Sequence, residues 1–144
     1  MPLIYFNYPT GTLSKAVRDA LAEELTDIAL DCEKLPTSPF VKSTVWLYFN
    51  ELPSENVYHA GKSGGTKVIS LEVNAFDGGL DTAAKKFLIE RFTEAIRKSV
   101  GNSSEALTPV YVVLRDVLAT NFGIFGKTIT LKDLHNLDPN ANPI

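Results

Sequence analysis

The sequence predicts an α+β domain: a duplicated strand–helix–strand unit whose four strands form one mixed sheet, with both helices on one of its faces. Three observations predict it. Apolar residues recur at helical spacing in two separate stretches of the 144-residue chain. Each stretch stands between short runs rich in aliphatic, β-branched and aromatic residues. The second half also repeats the first. With a shift of 65 residues Val45 meets Val110, Trp46 meets Tyr111, Leu47 meets Val112 and Glu51 meets Asp116.

The first strand is Met1-Pro2-Leu3-Ile4-Tyr5-Phe6-Asn7-Tyr8. Pro9-Thr10-Gly11-Thr12 then turns the chain, and Thr12 or Ser14 can cap a helix. Val17, Leu21, Leu25, Ile28 and Cys32 form one apolar stripe, which predicts a helix from about 14 to 33. Leu35-Pro36-Thr37-Ser38-Pro39 ends it. Val45 to Glu51 is the second strand, with Val45, Leu47 and Phe49 on one face and Trp46, Tyr48 and Asn50 on the other. Pro53 closes it, and Gly61-Lys62-Ser63-Gly64-Gly65 reads as a flexible connector.

The order then recurs. Lys67 to Val73 is a strand, Asp77-Gly78-Gly79 a turn, and Ala84, Leu88, Phe92, Ile96 and Val100 mark a helix from about 80 to 100. Gly101-Asn102-Ser103-Ser104 ends that helix, and Val110 to Val117 is the fourth strand. The repeat match runs on past it, Asn56 meeting Asn121, Val57 meeting Phe122, Gly61 meeting Gly126 and Lys62 meeting Lys127. In the helices the shift is 67, with Leu21 on Leu88, Glu23 on Glu90 and Thr26 on Thr93, so one turn differs by two residues. A right-handed crossover makes the two strands of each unit parallel. The expected domain covers 1–133, with repeats at about 2–62 and 67–127, followed by a tail over 134–144. With both helices on one face, the other is expected to carry Trp46, Tyr48, Tyr111 and Val113. That much apolar surface calls for a symmetric oligomer.

A formal charge of −3 offers no basic footprint for nucleic acid. No apolar run reaches the ~18 residues of a membrane span, and the opening lacks the basic segment of a secretion signal. Cys32 is the single cysteine, which excludes an internal disulfide and a multi-cysteine metal site. His59 and His135 show no metal-ligand spacing. No cofactor is called for, and the cytoplasm is the default location.

Pro2 is the residue with chemistry. A small second residue normally lets the initiator methionine be trimmed, which leaves a secondary amine at the head of a buried strand. A terminal amine titrates at roughly 7.7–8.0, and burial in an apolar pocket lowers that. Such a nitrogen is a general base near neutrality with no catalytic side chain needed. The plainer reading is that Pro2 merely follows the start.

Met1-Pro2 opening into a strand, the doubled strand–helix–strand plan, and Arg115-Asp116-Val117-Leu118-Ala119-Thr120-Asn121-Phe122-Gly123-Ile124-Phe125-Gly126-Lys127 together resemble the tautomerase superfamily. That group includes 4-oxalocrotonate tautomerase, macrophage migration inhibitory factor and cis-3-chloroacrylic acid dehalogenase, and the resemblance covers nearly all of residues 2–133. It implies a homotrimer, with Pro2 as general base in a keto–enol shift of a small 2-keto acid or other enolisable carbonyl. It leaves open a decarboxylase, hydratase or dehalogenase role with the nitrogen as acid, and a binding protein without turnover.

The family's arginine positions hold other residues here. These are Thr12 and a position near Asp77, then Trp46 and Tyr111, then Ala75 and Gly78. The dehalogenase histidine, tyrosine and glutamate correspond to Ala29, Val113 and Ile124, while the aromatic wall survives as Phe122. An aryl or alkyl 2-keto acid, or a neutral carbonyl, suits such a pocket better than a clamped dicarboxylate. Arg115 is a candidate to receive a carboxylate, or a solvated strand-end residue; Tyr111 a hydrogen-bond donor to an enolate oxygen, or packing; Asn74 a pocket amide, or a turn residue. Lys67 is read as the repeat counterpart of Pro2, leaving one amine pocket per chain with Phe122 in its wall.

Overall fold

Strand β1 (Leu3–Pro9) is the spine of the sheet. Its alternate residues Ile4, Phe6 and Tyr8 are buried on the helix side. It pairs in parallel with β2 (Trp46–Leu52) and antiparallel with β5 (Ile69–Phe76), and β5 pairs in parallel with β6 (Val110–Val117). The order β2-β1-β5-β6 is the mixed four-stranded sheet that a doubled unit predicts. The computed structural model describes residues 2–64, 67–103, 105, 107–138 and 140–144.

Helix α1 (Lys15–Cys32) starts where Ser14 Oγ accepts the Val17 N–H at 3.3 Å. The second long helix, α3 (Thr82–Ser99), starts where Asp81 Oδ1 accepts the Ala84 N–H at 2.8 Å. Leu21, Leu25 and Ile28 of α1, with Leu88, Phe92 and Ile96 of α3, cover Ile4, Phe6, Leu71 and Val73. Arg91 of α3 also pairs with Asp31 of α1.

The register locates the two-residue difference between the repeats. Trp46 lies opposite Leu3, and its counterpart Tyr111 lies opposite Ser70. The counterpart of Leu3 is therefore Ser70, and that of Pro2 is Ile69. This spacing of 67 also separates the caps Ser14 and Asp81. Lys67 is thus not the equivalent of Pro2, and the third strand begins two residues later than its alternation suggested. Burial explains the shift: Pro2 and Ile69 are both buried, whereas Lys67 is exposed. The extra length lies after helix α1, where the short helix α2 (Pro39–Ser43) opens on Pro39 with Ser38 as its cap.

Two hairpins follow β2 and β6 at matching places. One joins β3 (Tyr58–His59) to β4 (Lys62–Ser63), the other β7 (Gly123–Ile124) to β8 (Lys127–Thr128). In each the two turn residues have positive φ: Ala60 at 52° and Gly61 at 76°, Phe125 at 54° and Gly126 at 74°. That is the backbone of a two-residue primed turn. The stretch read as a connector is therefore half of a hairpin up to Gly64, while Gly65 lies outside the described residues. The expected tail boundary falls within helix α4 (Leu131–His135), which opens with a capping box between Thr130 and Asp133 and buries Leu134.

Neither long helix packs on the far face of the sheet. Trp46, Tyr48, Tyr111 and Val113 lie on it, between 41% and 81% exposed, and Tyr5 stacks on Tyr48 at 5.6 Å.

Candidate active site

Pro2 sits at the head of β1, where its carbonyl accepts the Trp46 N–H at 3.3 Å. It is buried at the wall of a cavity of about 210 Å³, shared with Leu3, Thr44, Trp46, Phe122, Gly123, Ile124 and Phe125. Met1 lies outside the described residues. The far wall comes from the second unit. A 3-10 turn over Ala119–Asn121 delivers Phe122, whose ring stacks on Phe76 at 4.4 Å and 25° between planes. The turn of the β7–β8 hairpin then holds Phe125 over the opening, 65% exposed.

The cavity is apolar. Among its described lining residues none is charged. Its side-chain donors are spent internally: Thr44 Oγ1 donates to the Val41 carbonyl at 2.6 Å and Trp46 Nε1 to the Ser43 carbonyl at 3.1 Å. A nitrogen at Pro2 carrying no acyl group is then the one described group there with proton chemistry near neutrality.

The other residues singled out from the sequence lie elsewhere. Asn74 is a strand residue rather than a turn residue. It faces Leu3 across β1–β5, and its Nδ2 donates to the Leu3 carbonyl at 3.2 Å. Arg115 faces Asn74 across β5–β6 and is paired with Glu72 at 3.1 Å. Trp46, Leu3, Asn74 and Arg115 thus form one row on the open face, with Arg115 two strand spacings, roughly 10 Å, from Leu3. Tyr111 stands in a different row, opposite Ser70 and beyond Asn7 and Asn50, towards the other end of the sheet. Within one chain the structure brings Pro2 and Phe122 together, sets Asn74 and Arg115 beside them on the open face, and places Tyr111 away from them. Sequence reasoning missed Thr44 and Phe125 as lining residues. The Phe125-Gly126 pair is a hairpin-turn dipeptide that could have pointed to the second.

No family model matches the chain, and no curated protein matches it. Solved structures do. A fused 4-OT wild type symmetric trimer superposes with a TM-score of 0.73 at 24% identity, over 88% of this chain and 94% of that one. Pt0534 inactivated by 2-oxo-3-pentynoate gives 0.73 at 22% identity, over 90% and 96%. Macrophage migration inhibitory factor of Toxoplasma gondii gives 0.69 at 13% identity, over 88% and 99%. The likeness holds along nearly the whole of each chain, and so this chain has the α+β fold of the tautomerase superfamily.

Proposed function

We propose that this protein is an enzyme of the tautomerase type, in which the Pro2 nitrogen, freed by removal of Met1, is the general base for keto–enol isomerisation of a small 2-keto acid or similar enolisable carbonyl. One observation carries the reading: Pro2 is buried in an aromatic-walled cavity whose described lining holds no charged side chain. A secondary amine there is desolvated, which holds its pKa below the usual ~7.7–8.0 and leaves it unprotonated near neutrality. It takes the enol proton and returns it to the carbon beside the carbonyl. Trp46, Phe122 and Phe125 hold the apolar part of the substrate flat. A carboxylate, where the substrate has one, lies towards the open face, where Asn74 and Arg115 stand; Arg115 must first leave Glu72. Tyr111 is too far along the sheet to act on the Pro2 of its own chain. The fused 4-OT of like fold is a trimer, and we carry that assembly over to this chain as well.

The test is turnover of phenylenolpyruvate across pH, with mass spectrometry of the intact protein to establish that Met1 is gone. A glycine inserted ahead of Pro2 turns its nitrogen into an amide, and activity is expected to fall by about 10²–10⁴. Equal turnover with and without the insertion removes the nitrogen from the mechanism. 2-Oxo-3-pentynoate, which inactivates Pt0534, offers a chemical version. A free Pro2 amine adds to the triple bond and passes its proton to carbon, so the peptide starting at Pro2 gains the mass of one inhibitor. An unmodified peptide after full exposure counts against a free, nucleophilic amine.

A further inference from the structure

The duplication has left a second cavity at the opposite pole of the sheet. It is about 210 Å³, the volume found beside Pro2. Much of its wall is the repeat counterpart of the Pro2 wall, Ile69 standing for Pro2, Ser70 for Leu3, Tyr111 for Trp46 and Val57 for Phe122, and Asn7, Tyr8, Pro9 and Leu52 complete it. Tyr58 and His59 on β3 replace Gly123 and Ile124 on β7. A further cavity of about 380 Å³ adjoins it, sharing His59, Val68, Ile69 and Tyr111.

The two poles differ in chemistry. Ile69 gives the second no amine. What it has gained, at positions that are glycine and isoleucine on the first pole, is a phenol and an imidazole. Tyr111 stands at the rim of this cavity on the open sheet face, which the proposed trimer covers, so the phenol and imidazole of Tyr58 and His59 are its donors. Lys62 faces His59 across the β3–β4 hairpin, which sets a cation beside the imidazole. Among the described lining residues of both cavities there is no carboxylate. The nearby carboxylate of Glu51, which accepts from the lining residue Tyr8, is paired with Arg18 at 3.6 Å, so hydrogen-bond donors and a neighbouring cation are left to meet an anion. The floor of Val57, Val68 and Ile69 is apolar. About 150 Å³ is enough for a benzene ring, so this cavity takes one ring and a short acidic arm.

We propose that the Ile69 pole is a second, non-catalytic binding site for a small aromatic carboxylate, its ring on Val57, Val68 and Ile69 and its carboxylate held by His59 and Tyr58. The site does not depend on the Pro2 amine. It makes the protein two-faced: one pole is fitted for proton transfer, the other for holding an anion of the same general size.

The probe is 3-phenylpropanoate, which has no ketone for an amine to enolise, titrated into the full chain and followed by NMR. Saturable shifts are expected at His59, Tyr58 and Val57, with His135 unmoved as the internal reference. They persist when Pro2 is changed to Ala. The variant His59→Leu, which restores the aliphatic character of the other pole, weakens binding by about tenfold or more. Val57→Trp, which fills the floor, weakens it as well, and the neutral analogue 3-phenylpropanol binds less tightly than the acid. Shifts confined to Trp46 and Phe122, no saturable shift at all, or unchanged affinity in both variants each overturn the proposal. The dispersion of the same spectra reports whether each variant is folded.

Discussion

Phe125 is the residue at which the chain accepts a local penalty beside the proposed site. Its φ of 54° lies in the left-handed region, where a bulky side chain is disfavoured, whereas the equivalent turn carries Ala60. The ring is 65% exposed, so little packing offsets the strain, but it overhangs the Pro2 cavity. Asn tolerates this backbone well at the first position of a primed turn. Phe125→Asn is therefore expected to stabilise the fold by about 0.5–1 kcal/mol, seen as a higher melting midpoint, while raising KM for an aromatic substrate. A lower midpoint shows that the ring is packed more firmly than its exposure suggests. Glu94 supplies a different kind of residue-scale test. Arg97 grips both its carboxylate oxygens, at 2.6 and 2.7 Å, and holds its pKa down to about 2. The folded value lies below the unfolded ~4.3. Its stabilisation is therefore complete above that pH and is lost as pH falls through about 2. Glu94→Gln should lose less melting temperature than the parent across that window. The difference should shrink in high salt, since the pair is exposed.

At the scale of elements, what could be read from the chain was whatever has a period. Helices α1 and α3 fall within a residue or two of the limits set by their apolar stripes, and β6 matches its expected span, because one buried face imposes the pattern. The hairpins and the short helices α2 and α4 have no room for a period; they rest on turn and cap chemistry over two to five residues. The start of β5 was misplaced by two residues because Lys67 and Ile69 share the same alternation parity, so only register separates them. For the site, Pro2 and Phe122 were legible as positions in a pattern. Thr44 and Phe125 reach the cavity through loops whose course depends on tertiary packing. Helix α4 shows the consequence. Leu134 is 2% exposed and packs beneath the hairpin with Ile129, Ile124 and Phe125, around an apolar gap that also touches Thr44. Leu134→Ala should cost about 2–3 kcal/mol by denaturant titration. Because Thr44, Ile124 and Phe125 also line the Pro2 cavity, it should raise KM as well. Destabilisation with unaltered KM separates the helix from the site.

At the scale of the whole molecule, the sheet is covered once and offered once. Tyr5, Trp46, Tyr48, Tyr111 and Val113 are all at least 37% exposed on a single face, an uncommon grouping for a chain that stays alone in water. That face also holds polar order. Asn50 Nδ2 donates to Asn7 Oδ1 at 2.9 Å, and Asn7 Nδ2 donates to Ser70 Oγ at 3.3 Å, in the row that ends at Tyr111. The outer strands β2 and β6 have one unpaired edge each among the described strands, and an unpaired edge invites pairing with another chain. A closed ring of copies, such as the trimer proposed above, is an assembly that can bury the aromatic face and pair those edges together. Sedimentation equilibrium should give three times the 15.8 kDa chain mass. Tyr48→Glu, which puts a charge at the centre of the face against the Tyr5 ring, should shift the protein towards single chains and lower turnover with it. A single chain at micromolar concentration in the unaltered protein sinks the trimer. Full activity in a monomeric Tyr48→Glu variant would show that one chain's Pro2 cavity is complete by itself.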